Sequence, residues 1–419
     1  MYRTSWFCIL LASLSVVIHT GCIAQVQSQL PNIEQILQQP DDSINLGVAC
    51  LSLAQEFYPN LKSDFFLYTF DYLAARFEKF FGYLTDPDQR LRALNTFLYQ
   101  KGYWNDSIAF EYDSHDVQGL KRDNRFINDY LARKKGTCVT MPMLYLILAE
   151  RLQMPMYAVR APNHFFLRYL PQNVSLNWEA NVEATSGGGF SSDEDYTIDM
   201  KIPKEGIRSG MYLRTLRKKE YLASLLLLNV AEYIELKDLS KAQHYAELAM
   251  HYDSTLATAV WANGLVHYKH AICLQEQMAS EIDGELSLDD FTSHRVGNAQ
   301  KPSKANTSLP LYISGSADGN VRKLAAGLSP EPKAFGQAKQ AMVPTLHLSE
   351  QNLTSMSPNL VTEIRAIEDR YLPTIKEEMA VWDRCKCRAK EMGMAFCSQT
   401  KFFRKQSLQL KSFQSKGDK

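Results

Sequence analysis

One cysteine, one histidine and one carboxylate in the first half of this chain of 419 residues are spaced for nucleophilic catalysis. Cys138 closes the stretch Lys135-Gly136-Thr137-Cys138, His164 follows Pro162-Asn163 at the head of an apolar segment, and Glu183 ends the next such segment. A free thiol is mostly protonated at neutral pH, whereas a cysteine at a helix N-terminus beside an imidazolium is held as the reactive thiolate. In that chemistry Cys138 attacks an amide or ester carbonyl, His164 shuttles the proton to the leaving group, and Glu183 fixes the histidine tautomer. The intermediate is a thioester, which water hydrolyses and an amine converts to a new amide. The plain alternatives are a buried structural thiol at Cys138 and a hydrogen-bonded core histidine at His164. Glu179 is a rival acid. Glu183 is preferred because Glu179 lies four residues nearer the turn and shares its strand face only if no bulge intervenes.

Three elements must position these groups. Met141 to Leu152 reads as a helix with Leu144, Tyr145, Leu148 and Leu152 on one face, and Pro142 is tolerated in its first turn. Cys138 then sits at the helix start, where the dipole and Arg133, Lys134 and Lys135 favour a negative charge. Met156 to Val159 and His164 to Tyr169 read as strands, the second joined through Pro171-Gln172-Asn173 to a strand over Ser175 to Val182. Adjacent antiparallel strands would set His164 and Glu183 side by side. The Cys138 backbone amide is the expected oxyanion donor, with a second donor from the neighbourhood of Asn124 or Trp104. Asp193, Glu194 and Asp195 read as solvated charge. A zinc site on Cys138 and His164 lacks two further ligands, so neither a metal nor a cofactor is expected.

Around this centre the pattern is mostly helical. Asp41 to Lys135 carries three- and four-residue apolar spacing, with Asp86 as an N-cap before Pro87, and Asp123 or Asn124 capping a helix through Ala132. Tyr103 to Gly119 reads as a loop near the site, and Gly187 to Asp195 as a polar loop beside a cleft. From Met211 to Cys273 the helices show a period of roughly 34 residues, the length of a tetratricopeptide unit. Glu281 to Ser349 reads as a linker, and a last helix runs from Pro358 to about Phe396.

The segments Asp123-Asn124-Arg125-Phe126, Gly136-Thr137-Cys138-Val139-Thr140-Met141-Pro142, Ala161 to Arg168 and Asn181-Val182-Glu183-Ala184 with Gly187-Gly188-Gly189 resemble the core of the transglutaminase-like superfamily, a relative of papain-type folds. Within it they are similar to the SirB-type branch, in which a tetratricopeptide-like segment follows the core. The resemblance runs from about Asp41 to about His270. It implies an α+β fold: a papain-like core with a helical N-terminal subdomain, followed by an α-helical segment. It also implies that Cys138 is the nucleophile, His164 the base and Glu183 the third member, where the family more often has Asp. The branch includes members without the cysteine or histidine, so retention of all three residues carries the catalytic expectation.

Lys plus Arg equals Asp plus Glu at 46 each, which supplies no basic field for nucleic acid. Arg3, the apolar run Phe7 to Ile18 and Gly21-Cys22 read as an export signal of lipoprotein type, with Cys22 as the lipidation site. The expected divisions are a signal at 1–21, a tether at 22–40, the transglutaminase-like domain at 41–205, helical repeats at 206–276, a largely disordered linker at 277–349, and a helix with a basic tail at 350–419. Cys50, Cys138, Cys273, Cys385, Cys387 and Cys397 form no regular disulfide framework, with Cys397 the one candidate partner for Cys385 or Cys387. The composite expectation is an outer-membrane lipoprotein of a bacterial cell envelope, anchored by lipid alone. It would act on a protein or peptide as a cysteine-dependent amide hydrolase or acyltransferase and meet partners through its repeats. The alternative is a non-catalytic envelope scaffold.

Overall fold

The computed structural model describes residues 30–116, 119–171, 180–293 and 357–394. The expected signal and Cys22, the rival acid Glu179, the expected linker beyond Ser293, Cys397 and the basic tail lie outside the described residues.

Helix formation begins inside the expected tether. Asn32 caps α1 (Ile33–Gln38) in a reciprocal box with Gln35, and Ile33, Ile36 and Leu37 are buried. The polar composition upstream of Pro31 hides this, because one helical turn of apolar residues gives too little periodicity to read. Three further helices follow: α2 (Leu46–Gln55), α3 (Ser63–Phe81) and α4 (Pro87–Tyr99). Asp86 caps α4 by accepting from the Gln89 amide at 2.9 Å, with Pro87 at the first helical position. Asp123 and Asn124, expected as caps, lie instead in a 3-10 turn. The next helix, α5 (Ile127–Arg133), starts after Phe126 with no side-chain cap.

Two short strands, β1 (Glu111–Tyr112) and β2 (Lys135–Gly136), pair in parallel and deliver the chain to α6 (Thr140–Arg151). Every residue of α6 from Thr140 to Ala149 is buried. The single apolar face expected here is thus replaced by burial all round, since α2, α3 and α5 cover one side and the main sheet the other. That sheet is a four-stranded antiparallel meander of β3 (Met156–Ala161), β4 (His164–Tyr169), β5 (Ala180–Glu183) and β6 (Gly189–Phe190). The outer edge of β3 is covered by Leu213 and Leu216, whose amides donate to Arg160 and Ala158 carbonyls at 2.9 Å.

After α7 (Asp193–Asp199) and α8 (Lys204–Arg208), helices α9 (Lys218–Glu235) and α10 (Leu239–Tyr252) form an antiparallel pair continued by α11 (Ala257–Ser293). The last helix, α12 (Pro358–Glu391), lies along α11. The linker expected from residue 277 therefore begins no earlier than the end of α11. Met278 and Ile282 bury against Ile364, Ile367 and Ile375 of α12, a pairing too distant in sequence to read. One continuous apolar core otherwise joins residues from Ile33 to Met394.

Two buried arginines, Arg160 on β3 and Arg125 before α5, tie α9 and the turn after α10 to the rest of the chain. Arg160 of β3 donates to Asp253 Oδ2 at 2.6 Å, Ser224 Oγ at 3.0 Å, Thr255 Oγ1 at 3.1 Å and the Met211 carbonyl at 3.1 Å. Arg125 bridges Glu232 at 2.6 Å and Glu235 at 2.8 Å. Removing one partner of a buried pair strands the other charge. Asp253→Ala is expected to lose about 3–5 kcal/mol in urea denaturation, whereas Arg160→Met combined with Asp253→Leu is expected to lose much less.

Candidate active site

Parallel pairing of β2 with β1 and the start of α6 fix Cys138 in the turn just before the helix. The first helical amide bond, Met141 to the Thr137 carbonyl at 3.0 Å, leaves the Cys138 amide at the open N-terminal end. Across from it, β3 and β4 join through Pro162-Asn163, with Ala161 paired to His164. Proline presets the first corner, and Asn163 takes the left-handed conformation at φ 55° that the second requires. This turn points the Asn163 carbonyl at the thiol, which donates to it at 3.7 Å, and sets His164 beside Cys138.

Leu167 pairs with Val182, so one further step puts Glu183 opposite Phe166 and diagonal to His164 on the same sheet face. His164 Nε2 and Glu183 Oε2 are 2.6 Å apart. The imidazole also interacts with the Cys138 side chain. Glu183 is saturated: Oε1 accepts from the Thr185 amide at 3.0 Å and its hydroxyl at 2.6 Å, and Oε2 accepts from the Tyr196 hydroxyl at 2.8 Å. Tyr196 is in turn stacked on Phe166 with ring centroids 3.9 Å apart. Gly188, at φ +83°, lets its carbonyl accept from Asn95 at 2.9 Å. A Cβ there would meet the Asn95 side chain at 2.1 Å, so glycine is needed to close the turn after Glu183.

The site is nearly sealed, with Cys138 9%, His164 2% and Glu183 3% exposed. Burial pushes the His164 pKa down, but the Glu183 carboxylate and the Cys138 thiol outweigh it and raise it from 6.5 to about 10. Burial pushes the Glu183 carboxyl up. His164, Thr185 and Tyr196 overcome that and hold it below its usual value. At neutral pH the pair is therefore imidazolium and carboxylate.

Residues 64–201 match the family model described as the transglutaminase-like superfamily. A transglutaminase-like domain occupies this part of the chain. No curated protein and no solved structure matches significantly. The domain holds Cys138, His164 and Glu183, together with α4 to α7 and the whole main sheet, within a mixed helix and sheet structure.

Several neighbours play other parts than the sequence suggests. Asn124 gives its amide hydrogens to Asp113 at 3.0 Å and Asp116 at 2.7 Å, and Trp104 Nε1 donates to the Gln100 carbonyl at 3.3 Å, so neither is an oxyanion donor. Arg133 is engaged by Asn124 and the Asp123 and Lys135 carbonyls, and Lys134 lies over the Phe110 ring at 4.1 Å. Asp193 bonds Arg168 and Asn181, and Asp195 forms the capping box of α7 with Ser192, so two of the three acids are structural rather than merely solvated. Among the described residues no group of three or more His, Cys, Asp or Glu is placed to hold a metal ion. The domain's supporting donors Thr185 and Tyr196 escaped sequence reading. The local signals were a hydroxyl two residues after the acid and a Ser192–Asp195 box that starts a helix at the right distance.

The ion pair makes stability depend on pH. His164, raised from 6.5 to about 10, contributes in full below pH 6.5 and loses the contribution as pH rises through 10. Glu183, lowered from 4.5, contributes above that pH and loses it in acid. The gap in urea midpoint between wild type and Glu183→Gln is expected to shrink steadily between pH 6.5 and 10. Tyr196→Phe removes one donor from a buried carboxylate and is expected to lower stability by about 2 kcal/mol in the same assay.

Proposed function

We propose that this chain is a cysteine-dependent acyl-transfer enzyme, an amide hydrolase or acyltransferase that works through a thioester on Cys138. The observation that carries the reading is the His164 imidazole held between the Cys138 thiol and the Glu183 carboxylate. Cys138 thiolate attacks the carbonyl carbon, and the electron pair of the broken π bond goes to oxygen. When the intermediate collapses, the leaving group takes the His164 proton. Water or an amine, deprotonated by the now neutral His164, then releases the acyl group and restores the thiol pair. Glu183, positioned by Thr185 and Tyr196, keeps the imidazole oriented through both halves.

The substrate class we propose is a protein or peptide, in keeping with a SirB-type relationship in which α9–α11 act as tetratricopeptide-like repeats that recruit it. Arg160, four residues before His164 on the same hairpin, is bonded into these helices and couples their placement to the site. The location we propose is the bacterial cell envelope, through lipidation at Cys22. Among the described residues no helix is long and apolar enough to cross a membrane. A second reading, a non-catalytic envelope scaffold binding through the repeats, is favoured by one observation: both Cys138 and His164 are nearly sealed from solvent.

Iodoacetamide labelling at pH 6, mapped by peptide mass, separates the two. On the enzymatic reading Cys138 is labelled faster than the exposed Cys387 and slows at least about tenfold in His164→Ala and Glu183→Gln. A Cys138 no faster than Cys387, with no response to either substitution, sinks the enzymatic reading and leaves the scaffold.

A further inference from the structure

The acyl-transfer reading requires a second donor for the developing oxyanion, and the structure takes Asn124 and Trp104 out of contention. The ribbon that carries the nucleophile points elsewhere. In the β1–β2 pair Tyr112 stands opposite Gly136, with the Asp113 amide donating to the Gly136 carbonyl at 2.8 Å. Residues paired across parallel strands share a face, and faces alternate along each strand. Asp113 and Thr137 take one face, where both bond to Asn124: its side-chain amide donates to Asp113 Oδ2 at 3.0 Å, and the Thr137 hydroxyl donates to its carbonyl at 3.4 Å. Tyr112 is left on the opposite face with Gly136, two residues before Cys138, close enough to Cys138 and Glu183 for their charges to act on it. β1 also lies against the 3-10 turn Ala184–Ser186 that follows Glu183, so Tyr112 stands between the strand leading to the nucleophile and the turn leading away from the acid.

We propose that Tyr112 is a catalytic residue, the second donor of an oxyanion hole whose first donor is the Cys138 backbone amide. The proposal rests on the acyl-transfer reading. The phenol oxygen is sealed from solvent, where a hydrogen bond to a developing negative charge is worth far more than in water. Burial, then the neighbouring charges of Cys138 and Glu183 and of Asp116 and Asp113, push its pKa up. It therefore stays protonated and able to donate across the working pH range. As the thiolate adds to the carbonyl carbon, the carbonyl oxygen gains the electron pair and is held by the Cys138 N–H and the Tyr112 O–H. When the pair returns, the leaving group departs with the His164 proton and both donors are released unchanged.

Two reagents divide this role from a structural one. Iodoacetamide alkylates the thiolate by displacement at a saturated carbon and forms no oxyanion, whereas p-nitrophenyl acetate acylates it through one. In full-length Tyr112→Phe, which removes one oxygen and leaves the ring in place, Cys138 acylation is expected to fall about a hundredfold with the alkylation rate and its pH profile unchanged. Binding of a short peptide aldehyde, whose adduct with Cys138 carries the same oxygen, is expected to weaken in parallel. An unchanged acylation rate overturns the proposal. So does an equal loss in acylation and alkylation, which would place Tyr112 on the thiol itself, and so does a variant that no longer melts cooperatively while wild type does. If wild-type Cys138 reacts with neither reagent faster than Cys387, the acyl-transfer reading fails and the proposal falls with it.

Discussion

The charge pair between His164 and Glu183 governs how the centre of this molecule is built. Both side chains are out of water, and each ion forgoes several kcal/mol of hydration on burial. Their mutual attraction offsets this only if the remaining lone pairs are satisfied, which is why Glu183 accepts from Thr185 twice and from Tyr196 as well as from His164. Each of those donors imposes a further requirement. Thr185 needs the tight turn that Gly187 and Gly188 permit at positive φ, and Tyr196 needs α7, whose Asp193 is anchored on Arg168 and Asn181 of the sheet. A face of β4 and β5, a glycine turn and a seven-residue helix thus exist in this arrangement around one carboxylate.

The helices after the domain are joined to it by the same physics. Arg160 lies on the strand that leads into the Pro162-Asn163 turn, and Arg125 adjoins the turn that supports Thr137. Each inserts a guanidinium into carboxylates of the helical segment, Asp253 in one case and Glu232 with Glu235 in the other. A planar fork with five donors fits such clusters in a way that lysine would not. The apolar core runs without a break from α1 through α10 and into α11, so burial and charge pairing act together across the segment junction.

Much of this is legible in the sequence. Asp86 with Pro87, the Pro162-Asn163 corner and the apolar runs on either side of it follow local rules, and local rules survive folding. The meeting of Cys138, His164 and Glu183 was also readable, because helix, hairpin and strand parity leave few other arrangements. What escaped were pairings between residues distant in sequence. Asn124 has the right chemistry for an oxyanion donor, but two buried aspartates claim its amide, and nothing near it in sequence says so. The second half of α11 looks like linker by composition, with Glu281, Asp283 and Gly284 within four residues, and becomes helix because α12 covers Met278 and Ile282. Arg133 and Lys134 lie close to the thiol along the chain, whereas carbonyls and an aromatic ring hold them in space.

The burial of α6 on every side has a consequence for how this centre can change over evolutionary time. The thiol is carried at the start of a helix buried on every side, so the residues that aim it are also the residues that fill the core. A substitution that tilts the thiol by a fraction of an ångström must also change core volume, at a cost of about 1–3 kcal/mol for overfilling and more for a cavity. Chains that drift in that helix lose folding before they gain a new aim. Change near the thiol is thereby less costly in the exposed turns around it than in the helix itself.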